Sequence, residues 1–218
     1  MTMNMNFPAK FLLSMALALF ASAFAPAALG QEVAPDALIK NVSDEVLALL
    51  KQDKDIRAGN TKKIVGLVEA KVVPHLNFTR MTRLAMGRNW RNASPEQQQQ
   101  LTEQFRTLLV RTYSTALLNY RDQVIDFKPL RAKPEDTEVT VHSEVKQPGA
   151  QPVAIDYDME KFPAGWKVYD IRVGGISLVL TYRDTFAAEI RERGVDGLIK
   201  SMMTKNGQGE ANPKAGKT

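Results

Sequence analysis

The stretch WKVYDIRVGGISLVLTYRDTFAAEI, residues 166–190, contains the pattern that decides the fold. Its first part, residues 166–173, alternates as a β-strand does, because successive strand side chains point to opposite faces. The face expected to be buried is formed by Tyr169, Ile171 and Val173. Gly174 and Gly175 then allow a sharp turn, and the apolar density of residues 176–186 is too high for an exposed helix. The stretch therefore predicts a strand, a turn and a helix that pack against something apolar.

Three further strand-like segments precede this stretch and predict an antiparallel meander. The links between them contain Pro and Gly, which reverse a chain between paired strands. The four strands are expected at residues 124–130, 138–145, 153–161 and 166–173. The apolar face of the sheet is expected to consist of Ile125, Phe127, Val139, Val141, Val153, Ile155, Tyr157, Met159, Tyr169, Ile171 and Val173. The opposite face is polar, so we expect a sheet that is covered on one side.

Amphipathic helices are predicted on both sides of the sheet region in the sequence. They are expected over residues 35–53, 61–74, 76–87 and 94–120, then from the glycine turn to about Gly194, and finally over residues 195–205. Ser94, Pro95 and Gln97 have the spacing of a capping box at the start of the longest helix. Its last turns are apolar all round, so that end is either sandwiched between layers or lines a cavity. The fold class is α+β.

The first 30 residues have the composition of a secretory signal peptide. Lys10 is their only charged side chain, and residues 11–24 are an apolar run. This run is shorter than the roughly 20 residues that a membrane-spanning helix needs. We therefore expect a signal peptide at residues 1–30, a single domain at 31–206 and a disordered tail at 207–218.

The absence of cysteine and the mild positive charge restrict the class of protein further. An exported chain with no cysteine cannot form disulfides, which favours a bacterial periplasm over an animal extracellular space. The net charge of +5 is compatible with ordinary solubility or with an acidic partner. An export signal argues against binding to nucleic acid.

Few residues could support catalysis. The chain has two histidines, His75 and His142, and contains neither a phosphate-binding glycine loop nor a nucleophile elbow. His142 with Asp156 and Asp158 could form an acid–base cluster on adjacent strands, but their alternation places them on the solvated face. We expect no enzyme activity, no catalytic residue, no metal and no cofactor.

Three stretches resemble a known family. VPHLNFTRMTRLAMGRNWRNASPEQ begins at Val73, WKVYDIRVGGISLVLTYRDTF begins at Trp166, and RERGVDGLIKSM begins at Arg191. Together, in this order and behind a signal peptide, they are similar to the MlaC or toluene-tolerance family. This family is the periplasmic phospholipid-binding component of the Mla lipid-transport system.

The resemblance implies a carrier with phospholipid as its cargo. It implies shuttling between the outer-membrane MlaA–porin complex and the MCE-domain subunit of an inner-membrane ABC transporter, which maintains outer-membrane lipid asymmetry. It also implies that a curved antiparallel sheet and surrounding helices enclose an apolar lipid pocket. Two alternatives remain at this point: an adaptor or chaperone that binds apolar protein segments, and an enzyme with a ketosteroid-isomerase-like fold.

The pocket of the family is lined by apolar side chains and has no fixed motif. We expect its walls to come from the apolar sheet face, from the end of the long helix and from the segment beyond the glycine turn. The predicted lipid-binding residues are Tyr113, Leu117, Tyr120, Val139, Val141, Ile155, Tyr157, Tyr169, Ile171, Val173, Ile176, Leu178 and Leu180.

Overall fold

Four of the α-helices in the described part of the chain begin after a residue whose side chain accepts from a backbone N–H of the first turn, namely Asp53, Asn60, Asn77 and Ser94. The computed structural model describes residues 33–119 and 123–211. The α-helices are α1 (Pro35–Gln52), α2 (Lys54–Arg57), α3 (Thr61–Lys71), α4 (Phe78–Met86), α5 (Pro95–Ser114) and α6 (Arg183–Ala211). The 3₁₀ turns are Val73–His75, Gly87–Asn92, Thr115–Asn119 and Leu180–Tyr182.

The predicted capping box at the start of α5 is confirmed. Ser94 Oγ accepts a hydrogen bond from the Gln97 backbone N–H at 3.2 Å, and Gln97 Oε1 accepts one from the Ser94 N–H at 2.9 Å. These two bonds pair backbone donors that have no partner inside the helix. Pro95 occupies the first helical position, where its missing N–H costs nothing.

The helix α6 contains the break that was predicted near Gly194. The backbone at Gly194 has φ 71° and divides the element into two helices. The second of them continues to Ala211, beyond the predicted end at Lys205. The disordered tail over residues 207–218 stays a prediction, and residues 212–218 lie outside the described part. The predicted signal peptide at residues 1–30 also lies outside it.

The sheet is an antiparallel meander of five strands, one more than predicted. The strands are β1 (Val124–Phe127), β2 (Glu138–Lys146), β3 (Val153–Phe162), β4 (Gly165–Val173) and β5 (Ile176–Ser177). They lie in the order in which they occur in the chain, and each pairs with the next. The sheet is curved and open. The additional strand β5 is the short return after the Gly174–Gly175 turn, where both glycines have positive φ angles of 57° and 82°.

A β-bulge in β4 changes the side on which one predicted residue lies. Asp158 is paired with Asp170, but the adjacent Met159 is paired with Val168, so Tyr169 is an extra residue without a partner on β3. One extra residue in a strand moves the side chains before it to the opposite face of the sheet from the one that simple alternation predicts. The prediction that Tyr169 shares the apolar face with the strand end is therefore wrong.

Tyr169 instead contributes to a charged junction between α4 and the outer face of the sheet. The Arg80 guanidinium carbon lies 3.5 Å from the centroid of the Tyr169 ring. Arg80 Nη1 forms ion pairs with Glu138 at 2.8 Å and with Glu160 at 2.7 Å. Asn77, which caps α4, donates from Nδ2 to Glu160 Oε1 at 2.7 Å. The start of α4 is thus fixed to β2, β3 and β4.

Two apolar clusters support this arrangement. The larger one joins α4, α5 and α6 to the sheet, and Phe105 at its centre meets Tyr182 and Phe186 edge-to-face at centroid distances of 5.1 and 5.2 Å. The smaller one holds α1, α2 and α3 together through Val46, Leu50, Ile56 and Ile64. In residues 33–119 and 123–211, no helix has both the length and the hydropathy needed to cross a membrane.

The capping box makes a first testable prediction. Ser94→Ala removes the side-chain acceptor of the cap, so we expect it to lower the free energy of unfolding by about 1 kcal/mol. The measurement is urea denaturation followed by circular dichroism. Thr112→Ala, which changes an exposed residue on the same helix, is the control and should unfold close to the parent. Equal midpoints for Ser94→Ala and the control would contradict the role of the cap.

Candidate functional site

An apolar cavity of about 480 Å³ lies between the sheet and the helices α1, α3 and α5. This volume falls within the roughly 300–1,000 Å³ that is typical of ligand pockets. Strands β1 to β4 contribute one wall through Ile125, Val145, Ile155, Tyr157, Val168 and Ile171. The end of α5 and the turn after it contribute Leu109, Val110, Tyr113, Ser114, Ala116 and Leu117. The apolar end of α5 therefore lines a cavity, which was one of the two alternatives that its sequence allowed.

Six of the predicted lipid-binding residues come together in this cavity. They are Tyr113, Leu117, Ile155, Tyr157, Ile171 and Leu178. Tyr120 lies outside the described residues. Whether the six contact a ligand stays a prediction at this point.

The other predicted residues do not line the cavity. Val141 is buried in the main core, and Val139 packs against that core. Val173 is partly buried at the end of β4. Tyr169, Ile176 and Leu180 line a separate groove. For Tyr169 the cause is the bulge, and for the other two it is the direction of the chain after the glycine turn.

The sequence reasoning missed the wall that α1 and α3 contribute. The residues concerned are Ile39, Val42, Val46, Leu47, Val68 and Val72. Their helical spacing identified two amphipathic helices, but the spacing does not say whether the apolar stripe of a helix meets a core or a cavity. Phe78 and Met81 of α4 complete the end near His75 in the same way.

The polar side chains at the cavity wall are few, and one of them, Ser114, has a buried hydroxyl with no hydrogen-bond partner among the described residues. The Tyr157 hydroxyl interacts with Ser43 of α1 and Ser143 of β2, and burial raises the pKa of Tyr157. Burial, with the neighbouring Tyr182, raises the pKa of Tyr113 to about 12. Burial lowers the pKa of His75, which favours its neutral imidazole.

No charged side chain lines the cavity in the described part of the chain. An ionised group could therefore be held there only without a counter-charge, at a large desolvation cost. An apolar chain meets no such penalty. The arrangement is suited to burying hydrocarbon, and it offers little for acid–base chemistry.

The candidate acid–base cluster does come together, but away from the cavity. His142 Nδ1 lies 2.7 Å from Asp156 Oδ1 on the outer face of the sheet. Arg172 contacts both carboxylates, with Nε 3.5 Å from Asp156 and Nη1 2.5 Å from Asp158. The arginine offsets the charge of the two carboxylates. None of these residues lines the apolar cavity, although Asp158 and Arg172 line the separate groove that also contains Tyr169. Over residues 33–119 and 123–211, no group of three metal-ligating side chains is present.

Comparisons with known proteins agree with this architecture. The family model described as MlaC protein matches residues 40–204. A toluene tolerance protein, ttg2D, of Pseudomonas putida is 26% identical over 163 residues, which cover 74% of this chain and 75% of that protein. The intermembrane phospholipid transport system binding protein MlaC of Haemophilus influenzae is 21% identical over 180 residues, covering 81% and 84%.

A solved structure provides the comparison of folds. It is the phospholipid-binding protein from Ralstonia solanacearum in complex with a phospholipid, with a TM-score of 0.73 and 48% sequence identity. The match covers 79% of this chain and 97% of that one. The family model matches most of the chain, and the solved structure has the same fold. The chain belongs to the MlaC protein family.

Proposed function

We propose that this protein is a phospholipid carrier that holds the acyl tails of its cargo in the apolar cavity. The observation that carries the proposal is the uncharged lining of a cavity of about 480 Å³. The 48% identical relative of the same fold, solved with a phospholipid, supports it. The lipid is cargo, and the function needs neither a cofactor nor a catalytic step.

The free energy of the hydrophobic effect favours this division between tail and head group. Removing hydrocarbon from water gains about 0.8 kcal/mol per methylene group, so a buried acyl chain contributes many kcal/mol. The phosphate of the head group finds no cation among the described lining residues. It therefore stays at the cavity mouth in water, where binding is governed by the tails.

A carrier of this kind works between two membranes. The amino-terminal segment with signal-peptide composition supports a periplasmic location. The Haemophilus influenzae relative, described as part of an intermembrane phospholipid transport system, supports exchange with partners at both membranes. We propose the outer-membrane MlaA–porin complex and the MCE-domain subunit of an inner-membrane ABC transporter as these partners. The transporter would supply the energy for direction.

Lipid extraction tests the carrier function directly. We expect the protein, purified from the periplasm of a bacterium with a normal envelope, to release phospholipid into organic solvent in an amount comparable to that of the protein. Mass spectrometry of the extract identifies the head group and the chains. The proposal would be contradicted if the purified protein contained no lipid and also took up none from phospholipid micelles. A bound peptide in place of lipid would favour the adaptor alternative.

A pair of matched variants on β3 tests the position of the tails. Ile155 lines the cavity, whereas Val153, two residues earlier, is 42% exposed and lies outside it. Ile155→Gln places an amide against the acyl chain, at a cost of roughly 1–3 kcal/mol when the amide is unpaired. We therefore expect lipid affinity to fall by about 5- to 150-fold, as measured by competition with vesicles. Val153→Gln should retain the parent affinity, and equal losses in both variants would exclude this cavity as the site.

A further inference from the structure

A thin segment after the glycine turn separates the cavity from the outside. Leu178 and Val179 line the cavity from within. Ile176 and Leu180 of the same segment face outward and are 63% and 41% exposed. We call residues 176–181 the wall segment. Because its outer apolar side chains are exposed, packing against its outer face does little to hold it in place.

The two ends of the wall segment differ in how strongly the surrounding protein restricts their backbone. It begins after Gly174 and Gly175, which both have positive φ, and a Cβ built on either glycine would meet no atom within 4 Å. It ends against a fixed region, where Arg183 donates from Nε and Nη2 to the Leu84 carbonyl at 3.1 and 2.9 Å. Phe186 follows in the main core. The glycine end is therefore the natural hinge.

Two of the hydrogen bonds that hold the wall segment end on one carboxylate, in addition to the pairing of β5 with β4. Asp170 on β4 is 5% exposed, and it accepts from the Ser177 hydroxyl and from the Val179 backbone N–H. Ser177 Oγ in turn accepts from the Leu180 N–H at 2.8 Å. The neighbouring backbone tie, from the Leu178 N–H to a carbonyl of β4, is also 2.8 Å long.

Asp170 is an unusual group to bury, because no cation among the described residues forms an ion pair with it. The nearby Arg172 is engaged by Asp158 and Asp156. Besides the wall segment, Asp170 accepts only from the adjacent Ile171 N–H, at 2.8 Å, among its described bonds. Two of its three donors thus come from the segment that it holds. If the segment moves outward, these donors leave and water can replace them, so the open position is accessible.

We propose that Asp170 is a positioning residue for lipid retention, which keeps the wall segment closed against the cavity through Ser177 and Val179. Weakening these bonds opens this side of the cavity about the glycine hinge and speeds the exit of lipid. The inference rests on the proposed carriage of phospholipid. It adds a route of release and a residue that controls it.

The test measures the transfer of radiolabelled phosphatidylethanolamine from the loaded protein to phosphatidylcholine vesicles. Asp170→Asn keeps the shape of the side chain but sets an amide donor against the donors of the wall segment. We expect release to be roughly tenfold faster than in the parent. Asp196→Asn, the same change at an exposed residue, is the control and should release at the parent rate. Ser177→Ala, a milder change, replaces the first variant if that variant does not fold.

Two further measurements separate positioning from a general loss of stability. Hydrogen exchange should accelerate at the Leu178, Val179 and Leu180 amides and remain unchanged in α5. The chain has no cysteine, so the paired positions Val173 and Ile176 can be changed to cysteine to lock the hinge. In the Asp170→Asn background, oxidation of this pair should restore slow release, and reduction should reverse it.

Each negative outcome points to a different failure. A parent protein that never binds lipid overturns the proposed function itself, and is seen before any variant is compared. A parent that binds lipid, with Asp170→Asn and Ser177→Ala releasing it at the parent rate, overturns the role of Asp170. Faster release that the oxidised cysteine pair does not slow overturns the wall segment as the exit.

Discussion

The structure depends on an apolar cavity whose described lining carries no charged side chain. The sheet supplies one wall, and α1, α3 and the end of α5 supply others. Each of these elements therefore presents an apolar face inward without filling the space. The two apolar clusters of the described residues share the neighbours Val72 and Leu117, which both line the cavity. Among the described residues, no Asp, Glu, Lys or Arg lines the cavity.

Much of the fold follows from local patterns in the sequence. The capping box at Ser94, the glycine break before Ile176 and the meander of short strands are all signalled by residues close together in the chain, and the structure confirms them. The bulge at Tyr169 could not be predicted in this way. It arises from the pairing of β4 with β3, and the alternating pattern of one strand contains no information about the register of its partner.

The candidate site was less predictable than the fold. Tyr157 and Leu117 were found because the sheet face and an all-apolar helix end are visible in the sequence. Val141, which has the same pattern, became core, since core and cavity wall require the same side chains. Likewise, the apolar stripe of α1 gave no sign that Val42 would face a cavity. Only the distances between layers decide whether an apolar residue meets another side chain or an empty volume.

The junction at Arg80 has a mechanical consequence. Because Arg80 and Asn77 tie the start of α4 to Glu138 and Glu160, and because the Tyr169 ring lies against the guanidinium, one corner of the molecule is cross-braced. The apolar cavity cannot widen easily at a braced corner. Any expansion of the cavity must therefore occur at its other sides. The bulge that moves Tyr169 to the outer face of the sheet thus also limits the direction in which the cavity can expand.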